Sequence, residues 1–195
     1  TFTLAIILGF YLANIGGISV VLIRLISIVS GVAYTGGPYP LGYYGLGDIL
    51  VIIFFGLIAV SGTYYLHTNE VTLLTLIMGA TMGMLSNAIL VVNNLRDIKS
   101  DKISRKHTLA VRYGVKFSRI QYTLLLIIPL LSPIYLWYMY RNILLILIMF
   151  LIIPIAINLS VKIFFTESKD LNNILIETTQ YHIIFTLLIS LGLLL

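Results

Sequence analysis

Residues Val71–Val92 read VTLLTLIMGATMGMLSNAILVV, and the chain then passes straight into Asn93-Asn94-Leu95-Arg96-Asp97-Ile98-Lys99-Ser100-Asp101. The first stretch has no ionisable side chain and, as a helix, is long enough to cross a bilayer, since ~20 mostly apolar residues span about 30 Å of hydrocarbon. In lipid every backbone N–H and C=O must find its partner inside the segment, so helix is the conformation such a run adopts. The second stretch gathers carboxylates and cations where that helix leaves the hydrocarbon. Most of the remaining chain repeats the apolar pattern. Of the 195 residues, 59% are hydrophobic and 10% charged, and the mean hydropathy is +1.06. A soluble domain carries about 25% charged residues, so a soluble enzyme, a disordered chain and a disulfide scaffold are excluded together. The absence of cysteine removes thiol nucleophiles and Cys-ligated metals. The net charge is +5, but the basic residues lie between apolar runs and not along an amphipathic face. Anionic lipid or an anionic substrate is therefore indicated, and nucleic acid is not.

Polar and Gly/Pro breaks divide the sequence into seven expected spans. They run from the start to about Ala13, Ile18 to Tyr34, Ile49 to Leu66, Val71 to Val92, Ile120 to Tyr138, Ile143 to Val161, and Tyr181 to the end. The expected fold is all-α, a polytopic membrane helical bundle. Eight Lys and Arg residues lie between Asn93 and Arg119, and Lys162 and Lys169 fall on the same face, making ten of the twelve in the chain. Positive charge collects on the cytoplasmic side, so that face and the Thr35–Asp48 loop are expected in the cytoplasm. The chain opens at Thr1 without an initiator Met, a basic leader or a cleavage site, which reads as an N-terminal truncation of one transmembrane domain.

Three features within or beside the spans have two readings each. Arg24 lies inside the second span, where a charge is a functional candidate but also reaches headgroups by snorkelling. Gly79 and Gly83 form a GxxxG that suits close helix packing within the bundle or dimerisation. Asp48 precedes the third span, either as an N-cap or as a contact for substrate. His182 and Gln180 are expected at the cytoplasmic opening of the last span.

Asp97 and Asp101 are four residues apart, and on a continuing helix their Cβ atoms would lie ~5–6 Å apart on one face. Two hard carboxylates suit Mg²⁺, which prefers one or two of them plus water and substrate phosphate oxygens. Lys106, Arg112 and Arg96 supply the cations for the phosphate charge left over. Asn93 and Asn94 are polar at a position where apolar residues would be cheaper. The combination predicts a metal–diphosphate site at the membrane surface; a purely topogenic loop of solvated charges is the alternative.

The run from Asn93 through Asp101, followed by Lys106-His107-Thr108-Leu109-Ala110-Val111-Arg112-Tyr113-Gly114, resembles the second aspartate-rich motif of the UbiA superfamily of membrane prenyltransferases. Tyr34-Thr35-Gly36-Gly37-Pro38-Tyr39-Pro40-Leu41-Gly42-Tyr43-Tyr44-Gly45-Leu46-Gly47-Asp48 is similar to the loop carried two spans earlier by the 1,4-dihydroxy-2-naphthoate polyprenyltransferase branch. The family pattern usually has Gly where this chain has Arg105, a departure that would stiffen a possible left-handed position.

The resemblance implies a UbiA-type fold of nine helices around a cavity, of which this chain would hold seven, with the first aspartate-rich motif in the preceding spans. It implies an enzyme of menaquinone biosynthesis in the cell (inner) membrane, with cytoplasmic active-site loops. Such an enzyme transfers a polyprenyl group from polyprenyl diphosphate to 1,4-dihydroxy-2-naphthoate, losing the carboxylate as CO₂ and the diphosphate, to give demethylmenaquinone in its reduced, dihydroxy form. Asp97 and Asp101 would be the catalytic, metal-holding residues with Mg²⁺ as cofactor. Lys106, Arg112 and Arg96 would bind the diphosphate, and Asn93, Asn94, Tyr34 and Asp48 would line the substrate pocket. Tyr64 and Tyr65 join Tyr34 as rings available to an allylic cation. On this reading the 195 residues are inactive alone. The alternatives are a UbiA-type enzyme with another aromatic acceptor or a polytopic transporter, which would carry mid-membrane charges and broken helices.

Overall fold

The computed structural model describes residues 2–36 and 40–195, with side chains at 2–8, 10, 11, 14, 15 and 35 outside the description. Gly37, Pro38 and Tyr39 of the glycine-rich loop therefore fall outside it. The described residues contain helices and turns and no strand, as the apolar runs require. Seven helices follow in order: α1 (Phe2–Thr35), α2 (Gly47–Thr68), α3 (Leu73–Arg96), the short α4 (Ile98–Ile103), α5 (Leu109–Tyr140), α6 (Ile143–Phe165) and α7 (Leu171–Leu194). Six helical segments among the described residues are long and apolar enough to cross a membrane, the first of them being Gly16–Tyr34 of α1.

The first two expected spans are the two arms of α1. Gly17, at φ 64° and ψ −160°, breaks the helix between them. The chain doubles back there, because Gly9 of one arm lies directly against the Arg24 guanidinium of the other. Arg24 is thus half-buried across the hairpin, in space left by a residue without a side chain.

Two other boundaries move for local reasons. α7 begins at Leu171, ten residues ahead of the expected Tyr181, so His182 lies mid-helix and not at the cytoplasmic opening. The charged stretch expected as a loop is largely helical: α4 occupies its centre, and α5 starts at Leu109. Thr108 caps α5, its Oγ1 accepting from the Val111 N–H at 3.3 Å. Charge did not stop these helices because their exposed faces lie beyond the apolar windows, where Lys and Arg are good helix formers.

α3 is the centre of the bundle and packs on α2, α5 and α7. Thr72 and Thr75 start it with a reciprocal capping box, the two bonds being 3.2 and 3.3 Å. Leu85, Ala88, Val92 and, on neighbouring helices, Tyr122, Leu126 and Phe185 are fully enclosed. The GxxxG lies inside the bundle. A Cβ on Gly83 would sit 2.7 Å from the Ile52 carbonyl oxygen, and one on Gly79 would sit 2.9 Å from the Leu57 Cα. Gly56 of α2 meets both glycines, so the two backbones touch where dispersion replaces the hydrophobic effect as the packing force. At this contact α2 widens into a π-helix over Ile52–Ile58, a local unwinding that amino-acid type did not announce.

Candidate active site

The two sequence blocks meet at one end of α3. Asp97 ends α3 and opens α4, with φ −94° and ψ 8° marking a one-residue interruption. The helical turn nevertheless closes across it, since the Asp101 N–H donates to the Asp97 carbonyl at 2.8 Å. Both carboxylates therefore sit within one turn, as the spacing predicted. Each already has a cation. Arg96 donates from Nε and Nη2 to the two oxygens of Asp97, both at 2.8 Å, and the Lys106 Nζ lies 3.1 Å from Asp101 Oδ1.

The pairs differ in their surroundings. The Asp97 side chain is 40% exposed, whereas that of Asp101 is 9% exposed. The Arg96 guanidinium holds the Asp97 carboxyl below its ordinary value, chiefly through their hydrogen bonds. Asp101 in turn raises the Lys106 ammonium above its ordinary value. Lys106 is fixed twice more, by its N–H donating to the Asp101 carbonyl at 2.9 Å and by its position 5.5 Å from the Tyr43 ring centroid. Arg105, just before it, has φ 56°. This is the left-handed conformation expected where the family pattern has Gly, and a side chain there costs about 1 kcal/mol.

The glycine-rich loop docks onto the aspartate loop through its backbone. The His107 N–H donates to the Tyr43 carbonyl at 2.7 Å, and Arg112 Nη2 donates to the Tyr44 carbonyl at 2.9 Å. Gly45, at φ 77°, approaches so closely that a Cβ there would lie 2.8 Å from the His107 carbonyl oxygen. Arg112 therefore ties the two loops together from the first turn of α5. Asn93 and Asn94 are half-buried one turn before Asp97, and the Asn93 carbonyl accepts the Asp97 N–H at 3.0 Å.

Asp48 is 5% exposed and makes no cap. Its Oδ1 accepts from Gln121 Nε2 at 2.6 Å, and Asn87 is a second side-chain partner. The N-cap expectation fails because helix α2 starts ahead of Asp48, with Leu46 in the cap position. Tyr34 stacks over Gly42 and Gly47 and lies within electrostatic reach of Asp48, Lys106 and Asp101. Its other side borders a cavity of about 620 Å³ between α1 and α2, lined also by Ser27, Gly31, Leu50, Phe54 and Phe55. Tyr34 thus joins the charged site to an apolar cavity, while Tyr64 and Tyr65 stand near the other end of α2. Gln121, Asn87 and Tyr43 escaped sequence reasoning. A lone Asn within an apolar span was a usable signal for Asn87; a carbonyl contact like that of Tyr43 leaves none.

Could these residues hold a divalent cation? No group of three or more His, Asp or Glu forms among the described residues. Two hard carboxylates one turn apart, with cations beside them for phosphate, suit Mg²⁺ completed by water and phosphate oxygens. A closed all-protein cage is not required.

The UbiA prenyltransferase family model matches residues 1–191. The chain belongs to this family. Among curated UbiA relatives, it is 37% identical over 177 residues to the 1,4-dihydroxy-2-naphthoate octaprenyltransferase of Haemophilus influenzae, covering 87% of this chain and 56% of that protein. It is 41% identical over 112 residues to the enzyme of the same name from Escherichia coli, covering 57% and 33%. The human UbiA prenyltransferase domain-containing protein 1 is 37% identical over 98 residues, covering 50% of this chain and 29% of its own length. The chain thus spans about half, or less, of the curated relatives it matches. The UbiA assignment agrees with the helical bundle.

Proposed function

We propose that this chain is the larger part of one membrane domain that transfers a polyprenyl group from its diphosphate to 1,4-dihydroxy-2-naphthoate, with loss of diphosphate and of the carboxylate as CO₂, in menaquinone biosynthesis. The observation that carries the reading is the docking of the glycine-rich loop on the aspartate loop beside Asp101 and Lys106, with Tyr34 standing between these charges and an apolar cavity. Relatives named as octaprenyltransferases support the acceptor and the donor class.

On this reading Asp97 and Asp101 hold Mg²⁺, which supplies charge neutralisation to the departing diphosphate. Lys106 meets a diphosphate oxygen as a point charge, and Arg112 keeps the glycine-rich loop closed over the site. Asn93 and Asn94 line the pocket wall before Asp97. Tyr34 presents its ring where the allylic carbon would sit between the cavity and the cations, shielding it from water and facing it with π density. The prenyl tail lies along the apolar cavity. Asp48, held by Gln121 and Asn87, accepts a hydrogen bond from the acceptor's hydroxyl group. The carboxylates of the first aspartate-rich motif, which the family resemblance places across the cavity, complete the metal site, so the 195 residues alone do not turn over. The protein sits in the cell membrane with this end cytoplasmic.

An acceptor panel tests the assignment. Membranes containing the enzyme, given Mg²⁺ and polyprenyl diphosphate, should prenylate dihydroxynaphthoate at least ~10-fold faster than 4-hydroxybenzoate, a ratio within reach of pocket discrimination. Preference for another acceptor would replace the naphthoate reading while leaving the family intact.

A further inference from the structure

Arg96 makes a third hydrogen bond, to a residue that the motif does not contain. Its Nη1 donates to Asn172 Oδ1 at 2.7 Å, across 76 residues of sequence, while Nε and Nη2 hold Asp97. Asn172 lies in the first turn of α7. All three nitrogens of the guanidinium are therefore committed, and both Asp97 oxygens face it. One oxygen of Asp101, Oδ1, is held by the Lys106 ammonium. A metal ion arriving alone would have to displace Arg96 from Asp97, compete with Lys106 at Asp101, and leave each cation facing another positive charge. A diphosphate arriving alone would find its cations already paired.

We propose that Asn172 is a positioning residue that parks Arg96 against Asp97, making the binding of metal and diphosphate mutually dependent. When both arrive, the carboxylates turn to the metal and the released Arg96 and Lys106 turn to diphosphate oxygens, so no charge is left unpaired. Each ligand then tightens the other by the same factor, as linkage requires. The proposal rests on the metal–diphosphate reading of the site. It goes beyond that reading by assigning Asn172, on a helix outside both motifs, and by giving Arg96 a competing role before it binds phosphate. An exchange between two satisfied arrangements of this kind is stepwise and not graded.

Mn²⁺ binding, followed by its electron paramagnetic resonance signal on the purified full-length protein in nanodiscs with and without inorganic pyrophosphate, tests this without turnover. Wild type should bind Mn²⁺ at least ~10-fold more tightly with pyrophosphate, a coupling in the ordinary range. Arg96→Gln should bind Mn²⁺ alone more tightly than wild type and lose most of the pyrophosphate effect. Asn172→Ala should move both quantities the same way by a smaller factor, and Asn172→Gln should restore part of the coupling. Weaker Mn²⁺ binding by Arg96→Gln without pyrophosphate, or undiminished coupling in both variants, would overturn the proposal while leaving the site in place. Absence of Mn²⁺ binding in wild type under either condition would overturn the site reading itself, and the proposal with it.

Discussion

The second arm of α1 and helix α3 are nearly indistinguishable in hydropathy, at 2.0 and 1.8, yet 6% of the first and 50% of the second is buried in the bundle. Apolar content tells a helix to enter lipid; it does not say whether its neighbours are lipid or protein. Glycine content does not make that distinction either: Gly31 of the α1 arm meets nothing within 4 Å, whereas Gly79 and Gly83 of α3 lie against the α2 backbone. α3 carries Gly79, Thr81, Gly83 and Asn87, all buried, and ends in the aspartate motif. The α1 arm exposes Ile18, Leu22, Leu25, Ile26 and Val29. In a membrane, where apolar burial gives no driving force between helices, close backbone approach and hydrogen bonds have to supply it.

Breaking the α3 side of the comparison should have the largest effect on stability. Gly83→Leu places a side chain against the Ile52 backbone, which cannot yield as a flexible side chain would. It should destabilise the fold by about 3 kcal/mol or more, since overpacking costs 1–3 kcal/mol even for smaller additions. Gly31→Ala on α1 meets nothing within 4 Å and should leave the thermal midpoint in detergent unchanged or slightly raised. Equal losses in the two variants would erase the contrast.

The next effect belongs to the cap between the motif and α5. Thr108→Ala removes the bond to the Val111 N–H and should cost about 1 kcal/mol, measured by chemical denaturation in mixed micelles. Arg105→Gly should act oppositely and more weakly, relieving the left-handed residue at φ 56° for a gain below about 1 kcal/mol. The smallest effect is that of pH. Because the folded Asp97 lies below its ordinary value of 3.8, its contribution is present above that value and is lost only as pH falls through the lower folded value. Asp97→Asn should flatten this acid limb slightly, the pair being partly exposed and weak.

Much of the architecture was legible because its cause is local. Runs without charge must be helices in lipid, and the Asp97–Asp101 spacing places both residues in one turn whichever helix carries them. The interruption at Asp97 was not legible, nor was the early start of α7, because Leu171–Gln180 carries polar residues that a hydropathy window reads as loop. The Arg24–Gly9 contact and the Asn172–Arg96 bond were hidden for another reason. They join residues distant in the chain, and a single sequence carries no sign of which glycine faces which arginine. Asp48 shows the limit most plainly: its place before an apolar run suggested a cap, and only the arrival of Gln121 from α5 and Asn87 from α3 shows a buried polar cluster.

The central claim, that the aspartate turn at the end of α3 is the reacting site and the other charges at that end of the bundle are structural, has a direct measurement. Prenyl transfer by the full-length protein should be compared for Asp101→Asn and for Lys162→Gln, which removes the 2.8 Å pair with Glu177 between α6 and α7. Asp101→Asn should lower the rate at least ~100-fold, the scale of losing one group that stabilises transition-state charge, with membrane insertion intact, while Lys162→Gln should stay within about threefold, as a partly exposed pair allows. Near-normal transfer by Asp101→Asn, or an equal collapse of both variants, would contradict it.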